Sequence, residues 1–154
     1  MGLPFIELDA INWLPGWIER DEAEFRDLLA TAMREASDGW VVDGNYGRLR
    51  DQVLEQADTV VWLNLPWRVM LWRVLKRTFR RAWDKQQICG ENTESWRQVL
   101  STKSLWWWYI ADRKQLITRV ERMLPLVPAG VPVINIKSAW ELNRFYEVQG
   151  LVRD

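Results

Sequence analysis

The stretch "FIELDAINWLPGW", residues 5–17, sets the reading of the whole chain. A run of apolar and strand-favouring residues over 4–9 ends on Asp9, and a loop over 10–20 follows with Trp13, Pro15, Gly16 and Trp17. The pattern returns in "WVVDGNYGRLR", residues 40–50, where Trp40-Val41-Val42 ends on Asp43 and Gly44-Asn45-Tyr46-Gly47 reads as a turn. Apolar strands that end on a carboxylate fit an α/β protein, in which ligands bind beyond the carboxyl ends of parallel strands. Asp-Gly is also a common turn, so either aspartate alone is compatible with a structural role. Two of them in one chain favour a site.

Working outward, Asp21 is placed to cap a helix over 22–36, with Phe25, Leu28, Leu29, Ala32 and Met33 on one face. Ser37-Asp38-Gly39 stops that helix, and a short helix over 48–56 precedes a third strand over 59–65. A basic amphipathic helix over 67–83 puts Trp72, Leu75, Phe79 and Trp83 along one side, with Arg73, Lys76, Arg77, Arg80 and Arg81 on the other. Residues 84–95 are polar, include Gly90 and Asn92, and read as a flexible loop. A long helix over 96–124, with a break near Ser101-Thr102, leads through Pro125, Pro128, Gly130 and Pro132 to a fourth strand over 133–136. Ser138 caps a last helix over 139–147. The alternation of short apolar strands with helices predicts a three-layer α/β domain, a parallel sheet with helices on both faces. Neither a repeat nor a linker interrupts it.

A length of 154 residues fits one domain, and 48% hydrophobic residues can fill its core. Lysine plus arginine and aspartate plus glutamate both number 21, so the net charge is zero. That argues against a surface that binds nucleic acid throughout, but leaves local patches open. Cys89 is the single cysteine, so no internal disulfide can form, and a reducing, cytoplasmic setting is expected. The absence of histidine excludes histidine catalysis and histidine metal ligation. Residues 1–15 show neither a basic start nor an apolar core of a secretory signal, and no long apolar run predicts a membrane span. The twelve tryptophans are either bulky core filler and loop anchors or aromatic walls for a planar ligand.

Two features could carry chemistry. Asp43 at a strand tip matches the pattern that sets a carboxylate near magnesium in phosphoryl transfer. The arginine helix has six basic residues and one acidic residue between positions 73 and 85. It reads as a solvated face, as a phosphate clamp, or as a nucleic-acid or membrane-surface patch. The glycine-containing polar segment after it favours the clamp, since such a segment could close over a nucleotide. Arg113 and Arg119 either extend that charge or lie on the surface, and Cys89 has no defined partner.

In order, "FIELDAINWLPGW", "WVVDGNYGRLR", "DTVVWLNLPWRVMLWRVLKRTFRR" and "CGENTESWR" resemble the adenylate-kinase-like P-loop proteins of the topology modulation, or FlaR-type, family over nearly the whole chain. The most specific parts are Leu-Asp-x-x-x-Trp-x-Pro-Gly-Trp at 8–17 and Asp-Gly-Asn-Tyr at 43–46. "VVDGNYGR" is also similar to the Asp-Gly-Phe-Pro-Arg stretch of adenylate kinase, with the arginine one position later. The resemblance implies a P-loop NTPase fold of the nucleoside or shikimate kinase kind, with ATP and magnesium as cofactors and a nucleotide or small molecule as acceptor. Asp43 would sit near magnesium, directly or through water. Asp9, Trp13, Trp17, Asn45, Tyr46 and Arg48 would face the acceptor. Arg77, Arg80 and Arg81 would act from a lid over 77–95 on the ATP phosphates, with Arg113 adding to the nucleotide contacts.

One departure is large. The family opens with a strand, a Gly-x-x-x-x-Gly-Lys-Ser/Thr phosphate loop and a helix. None of the eight glycines here is followed by lysine, and the Lys-Ser pairs at 103–104 and 137–138 lack the glycines. Gly2-Leu3-Pro4 also resembles a helix end with no helix before it. The expectation is a single truncated kinase-like domain without its first strand and phosphate loop. Its interior strands would need a homo-oligomer or a partner strand to satisfy them. Two functions follow. One is ATP-dependent phosphoryl transfer by the complete form, weak or absent in the chain as it stands. The other is a non-catalytic module that uses the basic helix 73–85 for protein or nucleic-acid contact.

Overall fold

The computed structural model describes residues 2–84, 87–89, 92–93, 96–101, 104–111, 118 and 122–151. They form an α/β structure that divides into two units: Ala57–Arg80 with Arg97–Asp154, and Gly2–Gln56 with Arg81–Trp96. The latter is called the N-terminal unit here, and the former the C-terminal unit. Among the described residues, no helix is long and apolar enough to cross a membrane.

In the N-terminal unit, β1 (Phe5–Glu7) runs into α1 (Leu8–Asn12) and then into a small hairpin of β2 (Trp13–Leu14) and β3 (Ile18–Glu19). Asp21 then starts α2 (Glu22–Glu35), its carboxylate accepting from the backbone N–H of Ala23 at 2.9 Å and of Glu24 at 3.4 Å. These are helix N-terminal donors that would otherwise have no partner. The buried stripe of α2 is Phe25, Leu29 and Met33, one residue every fourth position. Leu28, placed on that face by its spacing, is 39% exposed and lies outside the stripe. The stripe packs with Ile6 of β1, Leu8 of α1 and Leu49 to form the core of the unit.

β4 (Val41–Asp43) returns beside β1 in parallel, with Ile6 opposite Val42 and Glu7 opposite Asp43. A 3-10 turn (Gly47–Leu49) and α3 (Arg50–Leu54) follow. Arg26 of α2 reaches both carboxylate oxygens of Asp51 on α3 at 3.1 Å. Its hydrogen bonds hold the Asp51 carboxyl below the usual carboxylate range.

In the C-terminal unit, β5 (Val60–Leu63) is followed by α4 (Trp67–Asp84), which continues into the N-terminal unit. β6 (Gln87–Ile88) and β7 (Asn92–Thr93) belong to the N-terminal unit, and α5 (Trp96–Val99), α6 (Leu105–Ala111), β8 (Val133–Ile136) and α7 (Ala139–Val148) follow along the chain. β5 and β8 pair in parallel over their full lengths, Val60 opposite Val133 to Leu63 opposite Ile136. Ile136, Leu65 and Leu142 make the core there. Ser138 caps α7 by accepting from Glu141 N–H at 3.1 Å, and Glu141 reaches back to Lys137 N–H at 2.6 Å.

Parallel pairing joined by helical crossovers is therefore present, but among the described residues the strands form two separate parallel pairs, β1–β4 and β5–β8. Three local expectations change. Asp9 does not end a strand: β1 stops at Glu7, and Asp9 sits in the first turn of α1. The segment 84–95 is not simply a loop, because β6 and β7 form an antiparallel pair there. In α4, Val74, Thr78 and Ala82 face inward, whereas Trp72, Phe79 and Trp83 are exposed. The inward stripe is built from small side chains at every fourth position. The helix expected over 96–124 is broken between α5 and α6, near Ser101, while residues 112–117 and 119–121 lie outside the described residues.

Gly44 tests the N-terminal core. Its φ is +133°, and a Cβ there would lie 2.8 Å from Leu8 Cβ. Gly44→Ala is expected to cost about 2 kcal/mol or more, through strain and overpacking together. Urea denaturation followed by circular dichroism measures this, and a midpoint equal to that of the parent would contradict it.

Candidate functional site

The parallel register of β1 and β4 sets Glu7 and Asp43 side by side at the carboxyl ends of their strands. Both are exposed, and among the described residues neither has a cationic partner. Gly44 brings the chain tightly over Leu8, and two residues on Tyr46 reaches α1. Tyr46 donates its hydroxyl hydrogen bond to Asp9 Oδ1. Its ring meets Phe25 edge-on, with centroids 5.2 Å apart. Burial raises the Tyr46 phenol above its ordinary range, and the bond to Asp9 and that carboxylate's charge raise it further. At neutral pH it is therefore a donor that points one oxygen of Asp9 and leaves the carboxylate exposed for a ligand.

Asn12, fully buried at the end of α1, is the post behind this pair. Its Oδ1 accepts from Arg48 Nη2, and its Nδ2 has no hydrogen-bond partner among the described residues. The Arg48 guanidinium lies 5.2 Å from the centre of the Phe25 ring and 5.9 Å from that of Tyr46, with Glu19 at 3.5 Å. Arg48 thus braces the wall of the site from behind. Arg20 closes the base of the hairpin: its N–H bonds Asn12 carbonyl and its Nε bonds Ile11 carbonyl, each at 2.8 Å. Asn45, next to Tyr46, accepts from Arg50 Nη2 at 3.3 Å.

Trp13 and Trp17 form an aromatic corner, with centroids 5.7 Å apart and planes at 70°. The turn between β2 and β3 requires left-handed backbone at both Gly16 (φ 82°) and Trp17 (φ 61°). Glycine adopts this freely, but tryptophan does so at a cost of about 1–2 kcal/mol. Asn92 offsets that cost. Its Oδ1 accepts from Trp17 N–H at 2.9 Å, and its Nδ2 donates to the carbonyls of Leu14 at 2.9 Å and Cys89 at 2.7 Å. One buried amide thus joins the tryptophan hairpin to the β6–β7 hairpin.

Two donor sets could hold a cation. Asp43 and Glu7 offer oxygen only, which suits magnesium. Ligand atoms of Glu7, Asp9 and Cys89 lie within 4.8 Å of one another, and the sulfur makes that set softer. Cys89, which has no evident partner along the sequence, is thereby brought next to Asp9. Of the arginines expected over the ATP phosphates, Arg77 and Arg80 are exposed on α4 and Arg81 is half-buried on the same helix. Arg113 lies outside the described residues.

The site therefore gathers Asp9, Tyr46 and Arg48 around Asn12, with Trp13 and Trp17 on the adjoining hairpin. Sequence reasoning missed Asn12 and Asn92. Their one visible signal was an asparagine within each of two motif-bearing segments. A scan against protein-family models and searches of curated proteins and of solved structures found no match to the chain.

Two outcomes test this site. Asn92→Ala should cost roughly 1–3 kcal/mol by stripping a buried amide network, and hydrogen exchange at Trp17 N–H should speed up. Equal exchange would show that the two hairpins hold without it. The raised Tyr46 pKa means that folding contributes its full share below about pH 10, where an unfolded tyrosine is still protonated. That share is lost as pH rises further, because only the unfolded chain releases the proton. Urea midpoints should fall above about pH 10, and Tyr46→Phe should flatten much of the fall. The part due to Tyr109, also raised by burial, would remain.

Proposed function

We propose that this chain carries the acceptor-binding side and the lid of an ATP-dependent phosphotransferase of the adenylate-kinase-like, P-loop type. The observation that carries the reading is the pairing of Glu7 with Asp43 at the carboxyl ends of a parallel strand pair, with Asp9 close to Glu7 and the Trp13–Trp17 corner on the hairpin that follows. A parallel α/β sheet offers its ligand site at that end. The resemblance of residues 8–17 and 43–46 to the topology modulation family supports the same reading.

In this reading Asp9, aimed by Tyr46, accepts a hydroxyl of the acceptor, and the two tryptophans flank the acceptor's body. Asp43 would hold magnesium, through water or directly, and the bound ion would supply charge neutralisation for the transferred phosphoryl group. Arg77, Arg80 and Arg81 contribute guanidinium forks to the ATP phosphates. The chemistry is positioning and charge neutralisation, with no covalent intermediate on the protein. The 154 residues contain no Gly-x-x-x-x-Gly-Lys-Ser/Thr loop. Turnover by them alone is expected to be negligible.

The test compares this chain with the same chain fused behind a strand, phosphate loop and helix. Phosphoryl transfer from labelled ATP is measured with magnesium against a panel of nucleoside monophosphates and small polyols. The fused form should be active and should lose roughly a hundredfold or more on Asp43→Asn. Equal rates for the two chains, or a fused form indifferent to Asp43→Asn, would overturn the reading.

A further inference from the structure

We propose that the exposed face of α4 over residues 68–80 binds single-stranded nucleic acid. The helix already spends one side on packing, through Val74 and Thr78. On the opposite side Trp72 is 67% exposed and Phe79 43% exposed. These two positions are seven residues apart, so they lie on one flank of the helix, roughly 10 Å apart along its axis. Trp72, the more exposed of the two, offers a ring face on which a base can stack. The middle and the other flank of the exposed side carry Arg73, Lys76, Arg77 and Arg80. Among the described residues, Arg73, Lys76 and Arg77 have no carboxylate partner. A whole chain of zero net charge thus concentrates positive charge along one helix.

Aromatic rings beside a basic ridge match a strand that presents bases along one edge and phosphates along the other. A duplex keeps its bases stacked inside and would leave Trp72 without a base to stack on. A lipid surface fits poorly as well. Lys76 and Arg80 occupy the centre of the exposed side, where a membrane-lying helix places apolar residues. The inference rests on α4 alone; it shares Arg77 and Arg80 with the phosphotransfer reading, and variants of Trp72 and Lys76, which that reading does not use, test it separately.

The experiment is fluorescence anisotropy of the full chain with a labelled oligothymidylate, the matching duplex, and vesicles containing phosphatidylserine. The single strand should bind most tightly, with affinity falling as salt rises. Trp72→Ala should weaken it roughly tenfold. Lys76→Glu should weaken it too and make the dependence on salt shallower. Both side chains are exposed and lie outside the phosphotransfer residues, and circular dichroism of each variant checks that the fold is kept. No binding to the single strand at low salt, equal binding of the duplex, binding to vesicles alone, or a Trp72→Ala variant that binds like the parent would each overturn the proposal.

Discussion

The tightest constraint in the N-terminal unit is the approach of Gly44 to Leu8, where a side chain at position 44 would overlap Leu8 Cβ. It follows directly from the parallel pairing of β1 with β4, because both strands end at the same level and their continuations compete for one space. The α1 turn takes that space with Leu8, and β4 must leave through a residue without a Cβ. The exit direction carries Tyr46 over α1 to Asp9, and Arg48 to Asn12 and the two rings. The aspartates, the tyrosine and the arginine are thus consequences of one contact between backbone and core.

α4 follows a different logic. Its inward stripe is Val74, Thr78 and Ala82, so its largest side chains are left outward. Apolar size alone would place Trp72 and Phe79 in the core. The buried positions are taken instead by three smaller side chains. The outward aromatics and the arginines between them form a surface of mixed character on an element whose structural role is already met.

Much of the framework was legible along the chain. The strands at 41–43, 60–63 and 133–136 are short apolar runs between turn residues, and the caps at Asp21 and Ser138 are local chemistry. Period and punctuation suffice for such features. The hairpins at 13–19 and 87–93 were not legible, because two-residue strands carry no period. Asn92 was hidden for a stronger reason. Its partners Trp17 and Leu14 are 75 and 78 residues away, and no local pattern encodes such a bond. The candidate site was half visible: Asp9 and Asp43 stood out as carboxylates after apolar runs, whereas Tyr46 and the two tryptophans entered only through the family resemblance. The post on which they lean, Asn12, is polar, buried and silent in any hydrophobic pattern.

The Asn92 amide also has a chemical lifetime. Hydrolysis of its side chain to a carboxylate would keep the shape but remove both N–H donors. The carbonyls of Leu14 and Cys89 would then face a negative charge in a nearly closed space. Repulsion would replace two hydrogen bonds, and of the three bonds made by this side chain only the one from Trp17 N–H would be left to join the hairpins. In stored or long-lived protein, ageing at this one side chain would therefore loosen the aromatic corner while every residue of the candidate site stayed chemically intact.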